Sequence, residues 1–484
     1  MVTNVSQIAD HQADHQYNAA ELQRVFDAQK AAFRVNPMPT AEERIDHLAR
    51  LKPALLKHMS TLEQAISDDF SHRCSSETKL GEMMPSLEGI KYHIKHVKKW
   101  MRDDKRHVAA TLRPAKAKVV YQPLGVVGII VPWNYPIFLA LGPLLPALAA
   151  GNRVMIKMSE FTPRTAEAFK IMISEIFPEN HVCVVTGEAE VAIAFTKLPF
   201  DHILFTGSTS VGKHVMRAAA ENLTPVTLEL GGKSPAIINE SFPLSEAAER
   251  LGFGKALNAG QTCVAPDYVL CPEQKVNDFV NEMKKVIGKW YPTMLNNDDY
   301  TAIVSDRQHQ RLQGYLTDAE NKGATIIPIN PANEDFSHTR KMPLTLVLNT
   351  NKDMLIEQDE IFGPIMIIKP YDSLDDAINY VNDQPRPLAL YYFDFDQSRA
   401  DDVLRRTHSG GACINDTVSH VIVDDIPFGG IGPAGMGSYH GKEGFLTFSQ
   451  AKGVYVKGKI NATKFLFPPW NRKIHNFLFN TLLK

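Results

Sequence analysis

Cys263 stands in the run Gly260-Gln261-Thr262-Cys263-Val264-Ala265-Pro266-Asp267-Tyr268, and Glu229, 34 residues earlier, in Leu228-Glu229-Leu230-Gly231-Gly232-Lys233-Ser234-Pro235. A cysteine is a strong nucleophile only as its thiolate. A carboxylate is a poor neighbour for that charge but a serviceable base for water. The two residue types together point to two separate steps, in which sulfur attacks a carbon and the carboxylate later activates water. A cysteine taken at random is a small buried apolar residue. The glycines and polar neighbours around both positions argue against that reading here.

Other runs could hold a ligand beside this pair. Phe205-Thr206-Gly207-Ser208-Thr209-Ser210-Val211-Gly212 joins a strand to a helix, and Gly207 and Gly212 let backbone approach a bulky group. The helix N-terminus and Ser208 can then hold a pyrophosphate oxygen. A tight turn is the competing reading. Residues 430–435 match the GxGxxG fingerprint letter by letter, but no strand precedes them and Pro433 stands where a helix should open. They read as a glycine-rich loop near a substrate mouth. Lys157 and Glu160 follow a strand, Glu360 and Phe362 lie between apolar strands, and Trp133 and Asn134 end the first strand of the alternating region. Asn134 offers an amide donor where an oxyanion would need one. Asn415 is a weaker candidate for the same neighbourhood. The competing readings are a surface ion pair for Lys157 and Glu160, a loop acid for Glu360 and turn chemistry for Asn134.

The elements that must position these residues follow from periodicity. Residues 21–105 are helical, with Leu22, Val25, Phe26, Gln29 and Phe33 on one face and Leu48, Leu51, Leu55, Leu56 and Met59 on another. Residues 108–120 read as a β-like protruding hairpin. From Gly125 strands (126–131, 152–158, 181–185, 202–205, 224–230) alternate with helices starting at Thr162-Pro163, Glu188 and Val211. That alternation implies a parallel sheet with helices on both faces, binding ligands at the strands' carboxyl ends. A second α/β region follows Gly232. The expected fold class is therefore α/β: a Rossmann-like cofactor domain, a second α/β catalytic domain and a small β bridging element. The divisions are 1–18 as a flexible tail, 19–107 as N-terminal helices of the cofactor domain and 108–124 as oligomerisation strands. Then come 125–231 for dinucleotide binding, 232–425 for catalysis, and 426–484 as the return with an oligomerisation strand and tail. Cys263 and Glu229 would face each other across the cleft between two domains.

Length and charge agree. At 484 residues the chain needs more than one core. A net charge of −2 from 52 basic and 54 acidic residues gives no footprint for nucleic acid. The five cysteines form no CxxC pair and no metal-ligand cluster, so no metal is expected and reduced thiols in a cytoplasmic protein fit best. Residues 1–20 lack the apolar core of a secretory signal. The apolar stretch 137–150 is too short to span a membrane.

The two runs around Glu229 and Cys263 resemble the active-site motifs of the aldehyde dehydrogenase superfamily. Thr262 and the following Val-Ala-Pro-Asp-Tyr resemble its class 3 branch, with the bacterial coniferyl aldehyde dehydrogenases as the nearest pattern. The resemblance spans about residues 20 to 455. It implies NAD(P)-dependent oxidation of an aldehyde, medium to large and apolar or aromatic, through a thiohemiacetal and a thioester on Cys263. Asn134 and the Cys263 backbone N–H would hold the oxyanion, and Glu229 would activate water. The cofactor would lie against Trp133, Lys157, Glu160, Gly207, Ser208, Gly212, Glu360 and Phe362; NAD is expected and NADP is open. Lys157 would hydrogen-bond the adenosine ribose together with Glu160, and Glu360 would hold the nicotinamide ribose. A cysteine hydrolase or thioester-transfer enzyme, or a non-catalytic scaffold on the same fold, would lack the dinucleotide, and a hydrolase would want a histidine paired with its cysteine. The resemblance also implies a homodimer joined through 108–120 and the strand 451–457. Lysines on alternate positions there suit edges that need a partner. The apolar and basic tail after residue 464 would cap a neighbouring subunit or lie on a membrane surface. The Pro468-Pro469 break leaves only a short helix, which favours capping.

Overall fold

The computed structural model of the chain describes residues 17–461 and 463–483. Residues 1–16 of the expected flexible tail fall outside it, and Asn18 already caps the helix Ala19–Val35 by accepting from the Glu21 N–H. Five strands run parallel: β3 (Val126–Ile130), β4 (Arg153–Lys157), β5 (Val182–Val185), β6 (His202–Gly207) and β7 (Val226–Leu230). A short antiparallel β15 (Gly435–Met436) completes the sheet in the order β15-β7-β6-β3-β4-β5. These strands read as continuous apolar runs because helices cover both faces.

Four residues, Gly231 to Ser234, lead from β7 into β8 (Pro235–Ile238) of a second sheet. It also holds β9 (Tyr268–Pro272), β10 (Thr325–Pro328), β11 (Thr345–Leu348), β12 (Ile365–Tyr371), β13 (Ala389–Phe393) and β14 (Gly411–Ile414), in the order β10-β11-β12-β9-β8-β13-β14. All pairings but β10–β11 are parallel. Glu229 sits at the end of one sheet and the Cys263 loop just before β9 of the other, so the chain's two chemical residues meet where the sheets face.

The apolar stretch expected to be buried is the helix Phe138–Ala150, packed under the first sheet despite Pro143 and Pro146 inside it. Its C-terminal carbonyls are satisfied by the buried Arg44 guanidinium, which donates to Ala149 O at 3.0 Å and Ala150 O at 2.7 Å. A cation at that end also complements the helix dipole. On the neighbouring helix Ala41–Asp69, Leu48, Leu51 and Leu55 are buried, but Leu56 is exposed, one step off the inward stripe.

The third sheet corrects the hairpin reading. Its strands are β1 (Asp104–Arg106), β2 (Lys116–Pro123) and β16 (Ser449–Val456), ordered β1-β2-β16 and antiparallel. Residues 110–112 form a 3-10 turn, not a strand. Of the expected edge at 108–120, only residues 116–120 are strand, and they belong to β2, the middle strand of its own chain's sheet, paired on both sides. The alternating lysines there mark an exposed sheet face, not an open edge. The sequence pattern also passes over the helix Asp306–Asn321, whose buried stripe is only Leu312, Tyr315 and Ala319, and over β8 and β14. At Thr162 the helix starts as expected, at Pro163, yet the threonine side chain makes no cap bond.

Candidate active site

The loop that leads into Cys263 is built from left-handed backbone. Asn258, Ala259 and Gly260 have φ of 52°, 51° and 71°, a reversal that a helix cannot continue through. Gly260 is required there twice over, since a Cβ would stand 2.3 Å from the Gly363 carbonyl oxygen. Gln261 pins the turn: its amide donates to Asn258 O and Ala302 O, both at 3.0 Å, and accepts from the Val304 N–H at 2.9 Å. The Tyr135 hydroxyl meets Thr262 Oγ1 at 2.8 Å. Cys263 follows, half-buried.

Asn134 is held against this loop. Its side-chain amide donates to Gln261 O at 3.1 Å, and its backbone carbonyl accepts from Asn258 Nδ2 at 3.1 Å and from Arg73 Nη1 at 2.9 Å. One Nδ2–H is thereby used, and no acceptor takes the other among the described residues. Arg73 was not legible as a site residue. It is fully buried, pairs with Glu82 at 2.9 Å and lies over the Phe70 and Tyr135 rings. Glu82 Oε2 in turn accepts from the Ile137 N–H at 2.7 Å and the Phe138 N–H at 3.2 Å. Both Glu82 oxygens are thus used, while Arg73 Nε and Nη2 have no hydrogen-bond partner among the described residues; the segment that carries Asn134 is held by the Glu82 carboxylate and by Arg73 Nη1.

A pocket of about 260 Å³ opens between the sheets. It is lined by Cys263, Glu229 and Asn134, by Gly207 and Ser208 at the end of β6, by Trp133, Glu360 and Phe362, and by Leu139, Phe428 and Tyr439. Neither carboxyl oxygen of Glu229 has a hydrogen-bond partner among the described residues, and burial pushes its pKa well up. Burial, then the nearby Glu360 and Glu229, push the Cys263 thiol up to about 12. Glu360 rises to about 8, mainly by burial and then by Asp267, against the pull of the Gly232 N–H, Lys233 and Arg311. All three groups become anions on losing a proton. Each is raised first because burial disfavours its charged form.

Each expected cofactor residue falls at the carboxyl end of the first sheet or on the facing loop. Ser208, which lines the pocket, caps the helix Thr209–Ala220 by accepting from the Val211 N–H at 3.4 Å, so the helix begins beside the pocket. Gly212 does not line the pocket; a Cβ there would strike Leu230 at 2.7 Å, so this glycine serves close packing of helix on strand. Lys157 is buried at the end of β4, donates to Met158 O at 2.7 Å and stands 3.8 Å from Glu160. This pair lies outside the pocket, two strands along from β6 in the sheet order. Glu360 rests against Gly231, where a Cβ would lie 1.9 Å from its Oε2. Phe362 has a φ of 51° and packs edge-on against Trp133 with ring centroids 5.2 Å apart. Arg311 braces that strained loop by donating to Ile361 O at 2.8 Å and to Glu360 O and Phe362 O at 3.4 Å. These residues fit a dinucleotide: glycines where backbone must approach, a helix N-terminus, and acids for ribose hydroxyls.

Of the other two candidate runs, Asn415 departs from expectation and the 430–435 loop, as expected, is not a dinucleotide turn. Asn415 is not in the pocket: its side chain is consumed by the Asp394 backbone, donating to Asp394 O at 2.7 Å and accepting from the Asp394 N–H at 2.7 Å. The 430–435 loop is no dinucleotide turn. It carries β15, whose Gly435 pairs with Glu229 of β7, so it buttresses the strand that bears the carboxylate. A cysteine–histidine contact does exist, Cys413 Sγ to His420 Nδ1 at 3.1 Å. Burial pushes that thiol up to about 11 and that imidazole down to about 4, so the pair is neutral and supplies no thiolate. It lies outside the pocket lining and gives a hydrolase reading no support.

A model described as the aldehyde dehydrogenase family matches residues 6–454. A probable coniferyl aldehyde dehydrogenase of Pseudomonas aeruginosa is 56% identical over 464 residues, covering 96% of this chain and 97% of that one. Among solved structures, Staphylococcus aureus AldH in a substrate-bound state matches with a TM-score of 0.89 at 36% identity, covering 96% of this chain and 99% of that one. Mycobacterium tuberculosis aldehyde dehydrogenase complexed with NAD+ matches with a TM-score of 0.82 at 30% identity, covering 91% and 90%.

Proposed function

Because this chain belongs to the aldehyde dehydrogenase family, we propose that Cys263, Glu229 and Asn134 divide its reaction among them. The protein oxidises aldehydes with NAD(P) as cofactor. Cys263 Sγ bonds to the aldehyde carbon as its proton passes to solvent water. The carbonyl oxygen becomes an oxyanion held by the free Nδ2–H of Asn134 and the Cys263 backbone N–H. The bound dinucleotide supplies the acceptor for the hydride lost from that carbon. The carbon is left as a thioester on sulfur. Glu229 then takes a proton from a water whose oxygen attacks the thioester, releasing the carboxylic acid and the thiol. Trp133, Gly207, Ser208, Glu360 and Phe362 line the cofactor's place at the pocket, with Lys157 and Glu160 reaching its adenosine ribose and Gly212 acting through packing.

The substrate is a medium-to-large aromatic aldehyde of the coniferaldehyde type. The observation that carries this is the pocket wall beside Cys263, made of Trp133, Leu139, Phe428 and Tyr439. Apolar area of that kind favours a ring over a methyl group by about 2–3 kcal/mol. The test is kcat/KM across aldehydes of graded size with each cofactor. Coniferaldehyde is expected to exceed acetaldehyde by about a hundredfold; equal values would overturn the substrate assignment. NAD is expected to exceed NADP, because a 2′-phosphate brought against Glu160 is repelled, with Lys157 offsetting part of that. An NADP preference would overturn the role given to Glu160.

The assembly is a homodimer, and its interface covers the outer edge of β16, which has no strand partner among the described residues. Sedimentation velocity is expected to give one dimeric species; a monomer at micromolar concentration would contradict this. Five free cysteines fit a reducing cytoplasm.

A further inference from the structure

The family match stops at residue 454, and the chain near and beyond that point is unlike the rest. Residues 451–484 hold 7 of the 52 basic residues and none of the 54 acidic ones, so this stretch carries +7 and the first 450 residues carry −9. Beyond β16, the described residues 457–461 and 463–483 leave most of their large side chains exposed. A turn at Lys464–Leu466 leads to the helix Lys473–Leu482, and Arg472 ties them by donating to the carbonyls of Phe465 and Phe467. The buried His475 ring meets Phe465 O at 3.0 Å. The large apolar side chains stay outside. Trp470 is 63% exposed, Phe477 65% and Leu482 61%, with Phe465, Phe467 and Phe479 between 42% and 51%. Along the helix, Ile474, Phe477, Leu478 and Leu482 share one stripe, and Lys473, Asn476 and Asn480 share the opposite one.

We propose that this segment lies flat on an anionic lipid surface, with its aromatic side chains at the headgroup boundary and Lys459 and Lys464 toward the phosphates. Three observations favour lipid over a second copy of the chain. Positive charge uninterrupted by any acid matches a uniformly anionic plane. Tryptophan and phenylalanine beside lysine are the composition of interfacial helices. The exposed apolar groups come from both the turn and the helix, and a bilayer accepts them without a complementary recess. The helix is far too short to span, and no described helix is long and apolar enough to cross a membrane. Attachment is thus peripheral, and it would hold the enzyme where apolar aldehydes dissolve. The expectation from the proline break that the tail caps a neighbouring subunit is replaced by this reading.

Flotation of the full chain with vesicles tests it. The protein is expected to float with vesicles of equal phosphatidylcholine and phosphatidylglycerol about tenfold more than with phosphatidylcholine alone, and to be released at about 0.5 M salt. The double variant Phe477→Glu, Phe479→Glu, altered only at exposed positions, is expected to float about tenfold less with unchanged sedimentation coefficient and unchanged NADH production. Failure of the parent to float with the anionic vesicles, or equal flotation of parent and variant, overturns the proposal. A variant that dissociates into monomers also overturns it, in favour of docking on a second copy.

Discussion

Cys263→Ala is expected to abolish aldehyde oxidation, lowering kcat/KM by about a thousandfold or more, which is roughly 4 kcal/mol of transition-state stabilisation. Cofactor affinity, read from quenching of tryptophan fluorescence, should be unchanged, because the residues that fit the dinucleotide are separate from the sulfur. The loop itself should survive the change, since Gln261, Asn258 and Tyr135 hold it without the thiol. Cys74, Cys183, Cys271 and Cys413 are all buried away from the pocket lining, and serine at each should leave the activity in place. Residual oxidation above a few per cent of the parent rate in the Cys263 variant would remove the nucleophile assignment.

Glu229→Gln should split the reaction in time. Attack by sulfur and loss of hydride need no base for water, whereas release of the acid does. Stopped-flow absorbance is therefore expected to show a burst of about one NADH per active site followed by turnover slowed about a hundredfold or more. The buried, unpartnered carboxyl explains the size of the effect: glutamine matches its shape but cannot take a proton. Because the folded-state pKa of Glu229 is raised, the working base form gains population as pH rises, so the slow phase of the parent should accelerate with pH while that of the variant stays flat. Loss of both burst and turnover would place Glu229 earlier, at activation of the thiol.

The candidate site was legible because each residue proposed to react sits in a short run whose residue types make sense only together. Cys263 after Gly-Gln-Thr, Glu229 before Gly-Gly, and Ser208 between a strand and a helix are local patterns, and the fold brings all three to one pocket. What escaped the sequence was set by pairs far apart in the chain. Arg73 holds the Asn134 carbonyl from 61 residues away, and Arg311 braces Glu360 from 49. An arginine in a polar loop, as Arg73, or on a polar helix, as Arg311, gives no sign that its guanidinium will be buried against carbonyls. Asn415 failed for the opposite reason. Its neighbours looked right, but two hydrogen bonds to Asp394 fill its amide. The third sheet escaped because alternating lysines report an exposed face equally well for an edge strand and for a middle one.

The central claim is that a thioester forms on one particular sulfur and waits for Glu229. Glu229→Gln mixed with NAD and coniferaldehyde, acid-quenched during the slow phase and digested, tests it by mass spectrometry. The account predicts one modified peptide, the one containing Cys263, heavier by the mass of the aldehyde less two hydrogens. A burst of NADH with the added mass on any other cysteine, or with no added mass at all, would contradict it.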